Sequence, residues 1–326
     1  WGSLFMASYA LVCLGLSGTF FIALTYACGA SWAVALRRIP EAMSAVMPFG
    51  AVGVAAVLLF RPSLYPWTHE AAAHELSGFK AAWLNWPFFL ARAAVYFAVW
   101  LLFTRLIVRT SRAQDRDGDP AHTFRNTKLS VAFLPLFAVT FSMASVDWIM
   151  SLEPEWYSTI FGVYTFSGLF SSGLAVIILL AIWMRRTGPL RDFVTEEHLH
   201  DLGKLLFAFA TFWMYIWFSQ YMLIWYANMT EETVHFIARQ RSFWLPLLVL
   251  NVILNWGIPF LALLPKFTKR TPSTLAKVAA VVIAGRWLDL YMMVQPTVTA
   301  GAITFPWIEL GVMAGAGALV VVVFLR

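Results

Sequence analysis

The sequence predicts an all-α fold: a polytopic transmembrane helix bundle with about nine spanning helices, forming one integral membrane domain over residues 1–326. Three observations predict it. Of the 326 residues, 60% are hydrophobic and only 12% are charged, against roughly 25% charged in a soluble domain. Mean hydropathy is +0.72. A water-soluble fold of this length cannot hide that much apolar side chain, whereas lipid tails are a solvent for it. Apolar runs of about 20 residues recur along the whole chain, and the basic residues gather in alternate connections between them.

The runs fall near 3–34, 41–60, 83–104, 129–150, 158–184, 202–228, 242–264, 275–295 and 303–325. The first is long enough to tilt or to extend beyond the bilayer. One set of connections holds Arg37 and Arg38, then Arg105, Arg109, Arg112, Arg116, Arg125 and Lys128, then Arg185, Arg186, Arg191 and Lys204, then Lys266, Lys269, Arg270 and Lys277, and finally Arg326. These are 17 of the 23 basic residues; the opposite connections hold four, Arg61, Lys80, Arg239 and Arg241, and Arg92 and Arg286 lie within runs. By the positive-inside rule the basic side is cytoplasmic, residue 1 is on the outer side and Arg326 is inside. The net charge of +6 follows from this topology and implies no nucleic-acid partner.

Two basic-side segments, Ser111–Thr127 and Arg186–Asp201, are polar with Gly and Pro and read as surface loops. Thr195, with Glu197 and His198 nearby, makes a helix start, though the capping-box spacing is absent. Cys13 and Cys28 are too few for a disulfide scaffold and read as small buried hydrophobes. All six histidines fall in loops or at helix ends, which leaves no facing pair for a membrane haem. His198-Leu199-His200 is a weak metal signal, and there is neither a GxGxxG nor a Walker loop.

Ionisable residues within membrane runs are costly and are functional candidates by default. Arg92 lies in the third run, Asp147 near the end of the fourth, Arg286 and Asp289 three apart in the eighth, and Glu309 at the start of the ninth. A buried salt-bridge network explains Arg286 and Asp289 as well as a proton path does. A second group, His198, His200, Asp201 and Lys204, opens the sixth run on the basic side and is a candidate proton entrance. The acid there suits the positive end of the helix dipole. Further along, Gln220 needs a partner, and Asn251 and Asn255, four apart on the next run, are placed to provide it. Gln220 and Tyr221 are weak candidate quinone contacts. Trp225 and Tyr226 fit an interfacial aromatic belt.

Four stretches together carry a family resemblance: Asp147–Tyr164 (DWIMSLEPEWYSTIFGVY), Leu199–Thr233, Gly285–Pro296 (GRWLDLYMMVQP) and Ser31–Met43. They resemble the ActF-type subunits of bacterial alternative complex III, members of the NrfD/PsrC-like membrane protein family. The likeness runs from the first helix to the last. One departure is Thr230, where the family pattern has Pro in a turn. The family has ten helices, so one helix before Trp1 is expected. The resemblance implies a bacterial cytoplasmic membrane subunit of a quinol:cytochrome c oxidoreductase, with no redox centre of its own. Its expected partners are a paralogous ActC-like membrane subunit that oxidises quinol (menaquinol or ubiquinol), an iron–sulfur subunit, c-type haem subunits and lipids. It also implies roles for Asp147, Arg286 and Asp289 in a proton path. A quinone-binding subunit in its own right is the alternative. A secondary transporter ranks below both, because Pro135, Pro259 and Pro296 do not form the matched helix breaks such folds use.

Overall fold

The computed structural model describes residues 1–69, 78–240, 243–299 and 307–325. Among these there is no strand, and nine helices are long and apolar enough to cross a membrane. They are α1 (Gly2–Ala27), α2 (Arg38–Phe60), α3 (Trp86–Asp117), α4 (Ala121–Trp148), α5 (Phe161–Thr187), α6 (Glu196–Ala227), α8 (Trp244–Leu263), α9 (Pro272–Val298) and α10 (Trp307–Phe324). A short helix, α7 (Thr230–Gln240), lies between α6 and α8. The chain is therefore a membrane protein with an all-α polytopic bundle. His74, Arg241, Arg326 and the start of the last run lie outside the described residues.

Helix α1 is the hub, in contact with α2, α4, α5, α9 and α10. It ends at Ala27 rather than at residue 34, because Gly29 turns left-handed (φ 61°) and a 3₁₀ segment, Ser31–Leu36, follows. Its close approach to α2 depends on glycine. A Cβ on Gly50 would sit 2.6 Å from the Val12 backbone nitrogen, and one on Gly15 would sit 2.6 Å from the Met47 Cβ. Small residues replace the hydrophobic effect as the means of helix association in lipid, since they admit dense van der Waals packing. Aromatic side chains fill the interior, with Trp100, Trp148, Trp213, Phe137, Phe141 and Phe170 almost fully buried.

Three sequence expectations change. The segment 111–127 is not a loop: α3 runs on to Asp117, and α4 begins at Ala121 after a turn at left-handed Gly118 (φ 70°). Charged residues end a membrane crossing without ending a helix. The two extensions hold each other through Gln114–Thr123 and Asp117–His122. Cys28 is exposed, whereas Cys13 is buried as expected. The segment after Asn228 is the helix α7, and Thr230 is its first residue.

Gly50→Ala forces the α1–α2 crossing apart and destabilises the protein by roughly 1–3 kcal/mol, as overpacking does elsewhere. Gly311→Ala, whose Cβ meets nothing within 4 Å, serves as the neutral control in thermal melts of the purified protein in detergent.

Candidate functional site

The five intramembrane ionisable residues separate into two ion pairs and a third polar contact. Arg92, in the second turn of α3, grips Asp147 at the end of α4 with two parallel bonds: Nε to Oδ2 at 2.8 Å and Nη2 to Oδ1 at 2.9 Å. Trp83 Nε1 donates to Oδ1 and Tyr96 OH to Oδ2, each at 2.8 Å. Arg92 also donates to the Trp83 carbonyl at 2.9 Å and lies over the Trp83 ring at 4.1 Å. Each carboxylate oxygen thus receives two donors, and Asp147 is fully buried. A carboxylate whose oxygens each accept two hydrogen bonds in this way is fixed in position, which suits a clamp between α3 and α4.

Asp289 is held differently. Its Oδ1 accepts a short hydrogen bond from Tyr164 OH on α5 and one from Asn251 Nδ2 on α8 at 2.8 Å. Its Oδ2 faces Arg286 Nη1 one turn back at 2.6 Å and accepts no well-directed hydrogen bond. Gly168 on α5 makes room for this guanidinium, since a Cβ there would overlap it. Asn251 is oriented by Asn255, whose Nδ2 donates to its Oδ1 at 2.7 Å. Asn255 lies in a π-helical turn, Ile253–Gly257, of the kind that often marks functional positions. Gln220 is buried on α6, but neither asparagine pairs with it. Among the described residues its amide has no hydrogen-bond partner, because Asn251 is committed to Asp289.

Above Asp289 lies a cluster that the sequence reading did not single out: Glu153, His235 and Arg239. Arg239 Nη2 donates to Glu153 Oε1 at 2.6 Å, and His235 Nδ1 meets Glu153 Oε2 at 2.7 Å. Thr297 adds a bond to Oε1 at 3.0 Å, and Trp156 stacks on the imidazole with ring centroids 3.9 Å apart. Arg239 Nε also donates to the Met292 carbonyl at 2.9 Å. That carbonyl is the one left without its helical partner by Pro296, four residues on, which has no N–H. The guanidinium thus fills the gap in α9 and ties α7 over it. Burial alone would raise the Glu153 carboxyl, but Arg239 and His235 hold it well below the usual carboxylate range. Burial, reinforced by Arg239, pushes His235 down to about 4 against the pull of Glu153. His235 is neutral near pH 7, and because a carboxylate can only accept, the imidazole proton belongs on Nδ1.

A cavity of about 30 Å³ lies between the two layers, lined by Tyr164, Gln220, His235, Arg239, Asn251 and Asp289 and by apolar side chains including Phe161, Trp217, Phe236 and Leu248. A site of roughly 10–15 Å³ with polar walls suffices for one water, so there is room for one or two between the Glu153 cluster and Asp289. Tyr221 is apart from this path: it stacks on Trp217 and accepts from Gln240 at 3.2 Å beneath α7.

The remaining candidates do not converge on either pair. Glu309 accepts from Ser3 at 3.1 Å and Gln295 at 2.8 Å, tying α10 to α1 and α9. At the basic end a capping box is present, contrary to the sequence expectation, with His198 as its third residue, its Nδ1 accepting from the Thr195 N–H at 3.1 Å. Helix α6 starts at Glu196, so Glu196 and Glu197 occupy the first turn, and Asp201 instead pairs with Lys204 at 2.6 Å. His200 lies on the same helix, with its Nδ1 unpartnered. None of the four reaches Asp289 or Asp147. The α9 face between them carries Leu275, Val278, Ala279 and Val282, all buried. Among the described residues no group of three or more His, Cys, Asp or Glu side chains comes together as a metal site.

Neither a protein-family model nor a curated protein matches the chain. The fold and site define its class as a membrane-spanning helical bundle with two buried arginine–aspartate pairs.

The folded state binds fewer protons than the unfolded chain between pH 6.5 and about 4, because His235 titrates lower when folded. Its contribution to stability is complete above pH 6.5 and is lost as pH falls toward 4, with Glu153 extending the loss below. Melting temperature should fall across this window, and His235→Gln should flatten the upper part. An identical slope in the variant assigns the acid sensitivity elsewhere.

Proposed function

We propose that this chain is a membrane subunit of a quinol-oxidising complex, redox-inactive itself, that scaffolds a paralogous quinol-oxidising subunit and exchanges protons at its outer face. The resemblance to the NrfD/PsrC-like subunits of alternative complex III supports the complex and its expected iron–sulfur and haem c partners. The charge alternation supports a bacterial cytoplasmic membrane with the basic end inside and the Glu153 cluster outside.

The proton role is carried by one observation: Asp289 is buried, incompletely satisfied, and shares a small cavity with His235 and Arg239 of the Glu153 cluster. In this reading Asp289 accepts a proton arriving through that cavity, Arg286 pairs with its second oxygen, and Tyr164 and Asn251 hold the carboxylate in line. Asp147, with two hydrogen bonds on each oxygen, is a clamp between α3 and α4. In the assembled complex in vesicles, Asp289→Asn should slow the appearance of protons at the outer face in the first turnover of quinol, with the final yield unchanged. Gln220→Leu, which breaks no hydrogen bond, should slow it without shifting the melting temperature. Unchanged proton movement in both variants overturns the role.

A second reading is favoured by a larger cavity. A space of about 470 Å³ between α1, α5, α9 and α10 is lined mainly by apolar side chains, with Arg286, Tyr9 and Thr165 among the polar ones. The Tyr9 hydroxyl is buried and unpartnered. Cavities of roughly 300–1,000 Å³ with few polar groups are typical ligand sites, and a quinone ring with its isoprenoid tail suits this shape. Gly317 lines the cavity with open space around its Cα. Gly317→Phe should therefore abolish fluorescence quenching by a short-chain quinone without lowering stability. Equal quenching in the variant and the parent rejects quinone binding there.

A further inference from the structure

Helix α3 is 32 residues long, about 48 Å at 1.5 Å per residue, against a hydrocarbon core of roughly 30 Å. If its Trp86 end sits at one interface, the core is crossed near residue 105, and the following turns stand in the opposite headgroup layer. Arg105, Arg109, Arg112 and Arg116 occupy those turns at spacings of four, three and four, and so share one face. All four are exposed, and among the described residues none makes an ion pair or a hydrogen bond. They flank a groove of about 820 Å³ between α2 and α3, whose other walls are largely apolar, including Ala45, Pro48, Leu101 and Val108. The one acid on its lining, Glu41, is engaged by Arg38, which also engages Asp115 on α3. Neither acid is turned toward the arginine stripe as a partner.

From this arrangement we propose that the α2–α3 groove is a binding site for an anionic phospholipid. Its phosphate groups pair with Arg105, Arg109, Arg112 and Arg116, and its acyl chains lie along the apolar walls below. A stripe of unpaired cations at headgroup depth is costly to leave without counter-charge, and arginine presents a planar fork that matches phosphate oxygens in pairs. Basic pockets between spanning helices bind anionic headgroups by the same logic. The polar-above, apolar-below order selects a lipid over a soluble anion, because the greater part of the lining has no use for free phosphate. The site is separate from the Asp289 path and does not depend on the role proposed for it.

The test is native mass spectrometry of the purified protein, titrated with cardiolipin and with phosphatidylcholine. Cardiolipin is expected to remain bound under conditions that strip phosphatidylcholine. Arg109→Gln/Arg112→Gln should weaken its binding about tenfold or more, as two arginines at a charged surface imply. Arg125→Gln/Lys128→Gln removes the same charge from the neighbouring end of α4 and should leave the preference intact. Three results would overturn the proposal: equal retention of the two lipids, a preference that survives the Arg109/Arg112 change, or crosslinks from this groove to another protein chain in the native assembly.

Discussion

A polar group in hydrocarbon has no water to fall back on, so every charge and every freed backbone group in this bundle has to be met by another part of the protein. Much of the architecture follows from that constraint. Arg92 and Asp147 form a closed pair between α3 and α4. Arg239 supplies the donor that Pro296 withholds from the Met292 carbonyl. At the basic end Lys269 bonds the carbonyls of Leu263, Leu264 and Pro265, closing the C-terminus of α8. The buried hydroxyls of Ser145, Thr165 and Ser171 bond back to carbonyls four residues earlier in their own helices. These contacts are structural, and they define what an unusual site looks like by contrast.

The contrast is sharpest between the two aspartates. Both are buried beside an arginine, and composition alone cannot separate them. Asp147 receives four donors from three side chains, and its removal would leave Arg92 buried and unpaired, a state that costs about 3–5 kcal/mol. Asp289 has two donors on one oxygen and only an ion pair on the other. Polar walls with no protein partner, above all the Gln220 amide, lie in the same cavity. A carboxylate that must change its protonation state needs such slack, since a fully saturated one is held in a single state.

The helices were legible in the sequence because the bilayer imposes a length and a polarity that a single chain displays directly. The paired residues were legible as types: Arg92, Asp147, Arg286 and Asp289 were each costly enough to stand out. The Arg286–Asp289 pair was legible too, from its spacing of three on one helix face; the Arg92–Asp147 pair was not, because the two lie 55 residues apart and their meeting belongs to the packing. The Glu153–His235–Arg239 cluster was missed for a related reason. Its residues looked like ordinary loop charges. The available signal was the spacing of His235 and Arg239, four apart in a short amphipathic stretch, TEETVHFIARQ, that folds as α7. The overrun of α3 and α4 past residue 104 was hidden because a loss of hydrophobicity marks the membrane boundary, not the helix end.

The arrangement of polar groups along α9 constrains any proton mechanism. From Asp289 toward Pro296 the helix borders a small cavity that Gln220, His235 and Arg239 also line, and then the Glu153 cluster; from Gly285 toward Leu275 it is packed with buried aliphatic side chains. The His198–Lys204 group at the basic end is engaged in helix capping and a local ion pair, and it faces this dry layer without a polar link through it. A proton reaching Asp289 in this conformation therefore comes from and returns to the Glu153 end. Passage through the full membrane would require a second conformation that wets the Leu275–Val282 layer, or a route along another chain. Under the role proposed above, a one-sided acid of this kind is suited to buffering protons released at the same face, a task that asks for a fast local exchange and no crossing of the bundle.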